Sequence, residues 1–224
     1  VFDQLLSHPL FAQKGLHPKQ RQEDAHEFYA ILAEAAEFDK SLAHSVNTEL
    51  LNLEDEITNS GQMASSIVLA REDGGPVSIQ DWITRHISSR ETDVGIFRRT
   101  QYSHPHLDEL KSIAITLPRF SADRRKSSQS FHGLSQPITV PVFDESTWGK
   151  RDVILKPSAV ICHYGNSSSS GHYVTFVDKG THFEERSDSF TRIVTRDQAE
   201  AAFEKNAYLV QYAVESIATP LFIF

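Results

Sequence analysis

Ala159-Val160-Ile161-Cys162-His163-Tyr164-Gly165, then Asn166 and four serines, then Gly171-His172-Tyr173-Val174, decide how this chain is read. An apolar, β-branched run, a Gly/Ser break and a second run opening on histidine predict two β-strands joined by a flexible loop. A histidine at the start of a strand sits at the rim of a sheet, where its imidazole can serve as a general base. Downstream, the strand Tyr173–Val177 turns through Asp178-Lys179-Gly180 into a segment holding Ser187-Asp188-Ser189. A short polar side chain one strand away can hold the other ring nitrogen of His172 and fix its tautomer. The alternation in Ala207-Tyr208-Leu209-Val210-Gln211-Tyr212 predicts a further strand.

In this order the segments resemble the histidine box of the ubiquitin-specific proteases: H-x-G, a short loop, G-H-Y, an N/D/S-D-S segment and a closing A-Y-x-L-x-Y strand. Gln22-Glu23-Asp24-Ala25-His26-Glu27-Phe28 is similar to that family's Q-Q-D-A-H-E-F helix, and Leu110 to Phe120, ending Leu117-Pro118-Arg119-Phe120, to its L-K-R-F strand. Pro137-Ile138-Thr139-Val140-Pro141 stands where the next strand usually falls, so the likeness spans nearly the whole chain. It implies an α+β, papain-like cysteine protease fold, a helical lobe followed by an antiparallel sheet lobe with the cleft between them. The activity it implies is thiol-dependent hydrolysis of the bond after the C-terminal glycine of ubiquitin.

On this resemblance His172 is the proton carrier, with Ser187 and Asp188 beside it. The family usually has Asn or Asp where Ser187 stands. A serine orients the ring but brings no charge, and Asp188 is expected to supply it. Asp24 and Glu27 are three apart and are expected to share a helix face. There they would pair with the arginines of ubiquitin's tail, Leu-Arg-Leu-Arg-Gly-Gly. His163, Gly171 and Tyr173 are the remaining expected substrate-binding residues, with His163 shaping the loop.

The family's nucleophile lies in a G-N-T-C-Y-x-N-S-x-L-Q box. Val1 to Phe11 reads as the tail of that box, so the cysteine is expected ahead of residue 1 and none of the 224 residues is assigned as nucleophile. Cys162, the one cysteine, alternates with Val160 in a strand and reads as a small core residue. Two other readings stand beside the hydrolase: a catalytically inactive ubiquitin-binding domain, and a papain-like protease or esterase acting on another ubiquitin-like modifier or on ester-linked ubiquitin. Many members carry a zinc-binding fingers insertion; here that interval shows one recognisable element, a helix capped by Ser78 with Trp82, Ile83 and Ile87 on its apolar face. This compact, finger-less layout is similar to the reduced members that some bacteria deliver into host cells.

Composition bounds the rest. At 224 residues and 39% hydrophobic, the chain is long enough for one catalytic domain, helical over about 1–100 and sheet-rich over about 101–224. A net charge of −8, from 22 basic and 30 acidic residues, disfavours nucleic acid and suits a basic partner surface. One cysteine excludes an internal disulfide and a C-x-x-C zinc site. His26-Glu27 lacks a second histidine four residues on, and His104-Pro105-His106 reads as a surface turn, so neither metal nor cofactor is expected. There is no run of eighteen apolar residues to span a membrane, and a monomer is expected. Helices are expected from about Gln20 to Phe38, with Phe28, Ile31, Leu32 and Ala35 facing the core, near Leu42–Glu56, and over Ile79–Ser88. Strands are expected after about Lys111, with Ser127–Ser130 and Asn166–Ser170 as loops.

Overall fold

A computed structural model describes residues 9–16, 24–35, 44–51, 57–64, 66–69, 75–88, 90–91, 97–117, 119–121, 124–127, 129–168, 170–188 and 190–219. Its elements in chain order begin with α1 (Pro9–Gln13), α2 (Ala25–Ala35), β1 (His44–Leu51), β2 (Ile57–Ala64), β3 (Ser66–Val68) and β4 (Val77–Ser78). They continue with α3 (Ile79–Ile87), β5 (Arg90–Glu91), β6 (Phe97–His104), a 3-10 turn at Leu107–Glu109, β7 (Ser112–Thr116), β8 (Phe131–His132) and β9 (Ile138–Asp144). The C-terminal part is β10 (Gly149–Ser167), β11 (Ser170–Asp178), β12 (Phe183–Ser187), β13 (Phe190–Val194), α4 (Arg196–Asn206) and β14 (Ala207–Ile217). The architecture is α+β and dominated by one sheet, ordered β13-β12-β11-β10-β9-β6-β1-β2, with β14 bridging β10 and β7.

Three expectations need correction. The stretch Leu42–Glu56 is not helical where it is described: β1 pairs antiparallel with β2 and with β6. The Leu/Glu composition that favours a helix is overridden there by strand partners distant in sequence. The interval between α2 and β7 therefore holds strands as well as α3. The sheet is also mixed, because β3–β7 and β6–β9 run parallel. Finally, α2 starts at Ala25 and not near Gln20. The Asp24 carboxylate accepts from the backbone N–H groups of His26 (2.8 Å) and Glu27 (3.1 Å), and its carbonyl accepts from Phe28 (2.9 Å), which is N-cap geometry. Residues 20–23 and 36–38 of that expected helix lie outside the described residues.

Strand β10, 19 residues long, is the spine of the molecule, pairing along its length with β9, β14 and β11. Around its centre both faces are covered, which leaves Val160, Cys162 and His163 all fully buried. On one side α4 packs Phe203 edge-on against Phe176 (5.2 Å) and Phe183 (5.3 Å). Trp82 of α3, fully buried as the helical pattern predicts, stacks on Phe131 at 4.6 Å. A smaller cluster joins Phe11, Leu16 and Ile31, with Phe28 and Leu32 against it, which is the apolar face expected of α2.

Side-chain hydrogen bonds fasten α2 to the sheet: Tyr208 of β14 donates to Asp24, and His26 Nδ1 meets the Thr116 hydroxyl of β7 at 2.8 Å and that of Ser66 on β3 at 3.4 Å. Arg119 fastens α4. Its guanidinium is wholly buried and donates to the carbonyls of Gln129, Phe203, Glu204 and Ala207, closing the C-terminal end of the helix, while it lies over the Phe131 ring. Among the described residues no helix is long and apolar enough to cross a membrane, and no group of three or more His, Cys, Asp or Glu could hold a metal ion.

Candidate active site

His172 lies near the start of β11, between β10 and β12. Because Thr175 pairs with Arg186, the two-residue strand period puts Ser187 on the same sheet face as His172, one diagonal step away. The contact is made: His172 Nε2 and Ser187 Oγ are 2.6 Å apart. Ser187 is buried while the His172 side chain stays 44% exposed, so the anchor is fixed and the ring reaches solvent. Asp188 Oδ2 stands 3.8 Å from the same nitrogen.

The turn explains how Asp188 comes to be there. Ser187 pairs with Phe190, leaving a two-residue loop between β12 and β13, and such loops favour positive φ at their first position. Asp188 has φ 43°, which aspartate tolerates better than most residues. A carboxylate facing Nε2 favours the tautomer protonated there, with Ser187 accepting. That leaves Nδ1 as the basic nitrogen. Ser187 and Asp188 are thus brought to one point with His172, some fifteen residues earlier in the chain.

The other expected residues form a second cluster. His163 is fully buried on the opposite face from Cys162, and among the described residues neither of its ring nitrogens has a hydrogen-bond partner. Its ring meets Tyr173 (4.7 Å) and Phe120 (5.1 Å) edge-on, and Tyr208 joins the group. Burial pushes the His163 imidazole below its ordinary pKa, and the Lys126 ammonium acts in the same direction while Asp24 opposes it. Burial first, and then the Asp24 carboxylate, push the Tyr173 phenol up to about 12. Lys126 donates to the His163 carbonyl and to Asn206 Oδ1, tying β10 to the end of α4.

The stretch expected to be a flexible loop is a tight hairpin. Strand β10 runs to Ser167 and β11 begins at Ser170, those two residues pair, and a bulge falls between Tyr164 and Ser167. Glycine is required for space. A Cβ at Gly171 would fall 2.5 Å from His163 Cε1 and 2.6 Å from the Tyr164 carbonyl, and one at Gly165 would fall 2.6 Å from the Ser170 carbonyl. The hairpin is therefore clamped onto the His163 ring, immediately before His172.

Asp24 and Glu27 do not share a helix face. Asp24 precedes α2 as its cap, with its second oxygen taken by Tyr208, whereas Glu27 is exposed and borders an open pocket of about 350 Å³ with Lys14, His26 and Glu34. Cys162 is buried, and desolvation drives its thiol pKa far up in spite of the Arg119 and Lys126 charges. It cannot serve as a thiolate. The His104-Pro105-His106 turn also differs from expectation: His104 is 2% exposed because it ends β6 beside the parallel strand β9, and its Nδ1 accepts from the backbone N–H of His106. Sequence reading missed Phe120, Tyr208 and Lys126 as supports of the site. The only available signal for the two rings was their place in the L-P-R-F and A-Y segments.

Two buried imidazoles make the fold acid-sensitive. Desolvation lowers the pKa of His104 as it does that of His163. Below the ordinary imidazole value of about 6.5 the unfolded chain binds protons that the folded one refuses, so stability is full above that pH and declines as pH falls towards the lower folded values. Facing charges temper this: Glu109 and Glu145 at His104, and Asp24 at His163, favour the proton, while His106 and Lys126 oppose it. Thermal melts are expected to show a midpoint that drops steadily below about pH 6.5. A flat profile would refute the assignment.

Comparison with known proteins bears on this geometry. A family model described as "Ubiquitin carboxyl-terminal hydrolase" matches residues 6–212. No curated protein matches the sequence. Among solved structures, the chain is similar to the SAGA DUB module of Ubp8, Sgf11, Sus1 and Sgf73 bound to monoubiquitin, with a TM-score of 0.70 and 14% identity, over 97% of this chain and 54% of that one. The same module bound to ubiquitin aldehyde gives a TM-score of 0.70 at 13% identity, again over 97% and 54%. The chain thus spans about half the length of the structures it resembles, and at these identities the likeness concerns the fold.

Proposed function

We infer that this chain, which belongs to the ubiquitin carboxyl-terminal hydrolase family, is the histidine-bearing part of a thiol-dependent deubiquitinase that cleaves the bond after ubiquitin's C-terminal glycine. The observation that carries this reading is the half-exposed imidazole of His172 held through Nε2 by a buried serine at 2.6 Å. An imidazole so held is free to move a proton at Nδ1. In this reading Nδ1 takes the proton of a cysteine thiol, the thiolate attacks the glycine carbonyl, and the same nitrogen returns the proton to the departing lysine amine. Water then resolves the thioester. Cys162, the one cysteine of the 224 residues, is buried and takes no part in this step.

Ubiquitin as the bound partner is supported by the family and by the ubiquitin-bound structures that share the fold. The acidic balance of the chain suits an arginine-bearing tail. Glu27, exposed beside the pocket under α2, is the better placed of the two acidic residues for such an arginine. Gly171, His163 and Tyr173 serve this site by shaping it. The decisive experiment exposes the full-length protein to ubiquitin carrying a C-terminal electrophile and reads intact mass. The expected result is one covalent adduct on a cysteine other than Cys162; no adduct, or one on Cys162, overturns the reading.

Asp188 offers a finer test. Asp188→Asn keeps a side chain suited to φ 43° and removes the charge, so hydrolysis is expected to fall by no more than about fivefold, the scale of an exposed ion pair. Asp188→Ala removes the charge and strains the turn as well, which adds a stability loss of about 1 kcal/mol. Steady-state rates and thermal melts on the two variants separate the effects. Equal melting points would show that the turn does not depend on the aspartate.

A further inference from the structure

Strand β13 closes the sheet on the side of His172 and pairs only with β12 among the described residues. Its outward groups can be assigned from the ladder. Lys179 N–H donates to the His182 carbonyl, so the even-numbered residues that follow on β12 turn their backbone groups to β11 and the odd-numbered ones turn theirs to β13. With Ser187 opposite Phe190, residues 190, 192 and 194 bond to β12. The N–H and C=O of Thr191 and Ile193 therefore point away from β12, and no described strand pairs with them.

Soluble proteins usually blunt such an edge with lysine, proline or a bulge. Here the segment Phe190-Thr191-Arg192-Ile193 has none of these. Ile193 is 72% exposed and Phe190 50% exposed. Its one charge, the Arg192 guanidinium, is exposed but already engaged, donating to both carboxylate oxygens of buried Glu185 at 2.9 and 3.0 Å. The open edge begins directly after Ser187 and Asp188, at the residues that meet His172.

We propose that β13 is the acceptor-side docking edge of this enzyme: an extended segment of the protein bearing the released lysine adds to it as a further strand. Thr191 and Ile193 supply the backbone hydrogen bonds, and the Ile193 side chain supplies apolar contact. A strand added there runs about 14 Å from β11, three inter-strand spacings away. A chain crosses that distance in about four residues, enough to bring a flanking lysine to the imidazole. Five residues of edge bury far less than the roughly 1,200 Å² of a stable dimer, which suits a substrate that must leave and not a second copy of this chain.

This proposal rests on the hydrolase reading, and the test keeps the two apart. Full-length protein, Thr191→Pro and Ile193→Lys are compared on ubiquitin with a small fluorogenic amide leaving group and on ubiquitin joined through an isopeptide bond to a folded protein. The small substrate needs no acceptor edge and also reports correct folding. Both variants are expected to process it at the unsubstituted rate and to lose about tenfold in kcat/KM on the protein conjugate, the scale of one or two lost hydrogen bonds. Equal rates on both substrates, or equal losses on both, overturn the proposal. Sedimentation that shows a dimer dissociated by either variant overturns it in favour of a second copy. If the unsubstituted protein turns over neither substrate, the hydrolase reading itself fails and this proposal falls with it.

Discussion

His172→Ala is expected to lower hydrolysis of a ubiquitin substrate by about 10²- to 10⁴-fold, the range that a positioned proton carrier contributes. Binding of ubiquitin should change little, because in the proposed mechanism the ring serves the reacting atoms and not the body of the partner. The contrast with Ser187→Ala makes the prediction specific. In the proposed mechanism Ser187 acts only through the ring: it holds Nε2 at 2.6 Å from a buried position. Removing it frees the ring to rotate but leaves the imidazole in place, so a loss of about tenfold is expected, the value of one hydrogen bond. Equal losses in the two variants would mean that the imidazole acts only as a structural plug.

Gly171→Ala is the second large effect, and it is a matter of space. The new Cβ would meet His163 Cε1 at 2.5 Å and the Tyr164 carbonyl at 2.6 Å. Neither can yield easily: the imidazole is fully buried between Tyr173 and Phe120, and the carbonyl belongs to the paired strand β10. Overpacking of this kind costs about 1–3 kcal/mol. The next residue is His172, and a displacement of about 1 Å there is enough for a further 10²-fold loss of rate. Calorimetry and steady-state rates together check this. The double variant with His163→Ala should recover part of the lost stability, since the space the methyl needs is then empty, and a coupling below about 0.5 kcal/mol would argue against direct contact.

Residue by residue, the sequence was most legible where local pattern and tertiary role agree. The apolar alternation of β10 and β14 marks them as strands, and Ser187, one strand beyond His172, meets its ring. Reading failed where distant partners decide. Residues 44–51 have helix-forming composition but lie between β2 and β6, and only those strands determine their state. The glycines and serines of 165–171 were read as freedom, whereas Gly165 and Gly171 are small so that backbone can close over the His163 ring. Asp24 was read as a charge for a ligand, and its carboxylate is spent on capping α2 and on Tyr208. Strand β13 carried no separate signal, because an exposed apolar edge looks, in one dimension, like an ordinary core strand.

The Arg119 clamp ties the order of synthesis to the order of folding. The guanidinium emerges from the ribosome with β7, but three of the four carbonyls that receive it belong to residues 203, 204 and 207. Until those appear, some eighty residues later, the nascent sheet carries a cation at the centre of what will be a dry region. The sheet cannot seal around it. A truncated translation product ending before α4 should therefore stay open and be held by chaperones, and completion of the last helix is the event that commits the domain to its native state.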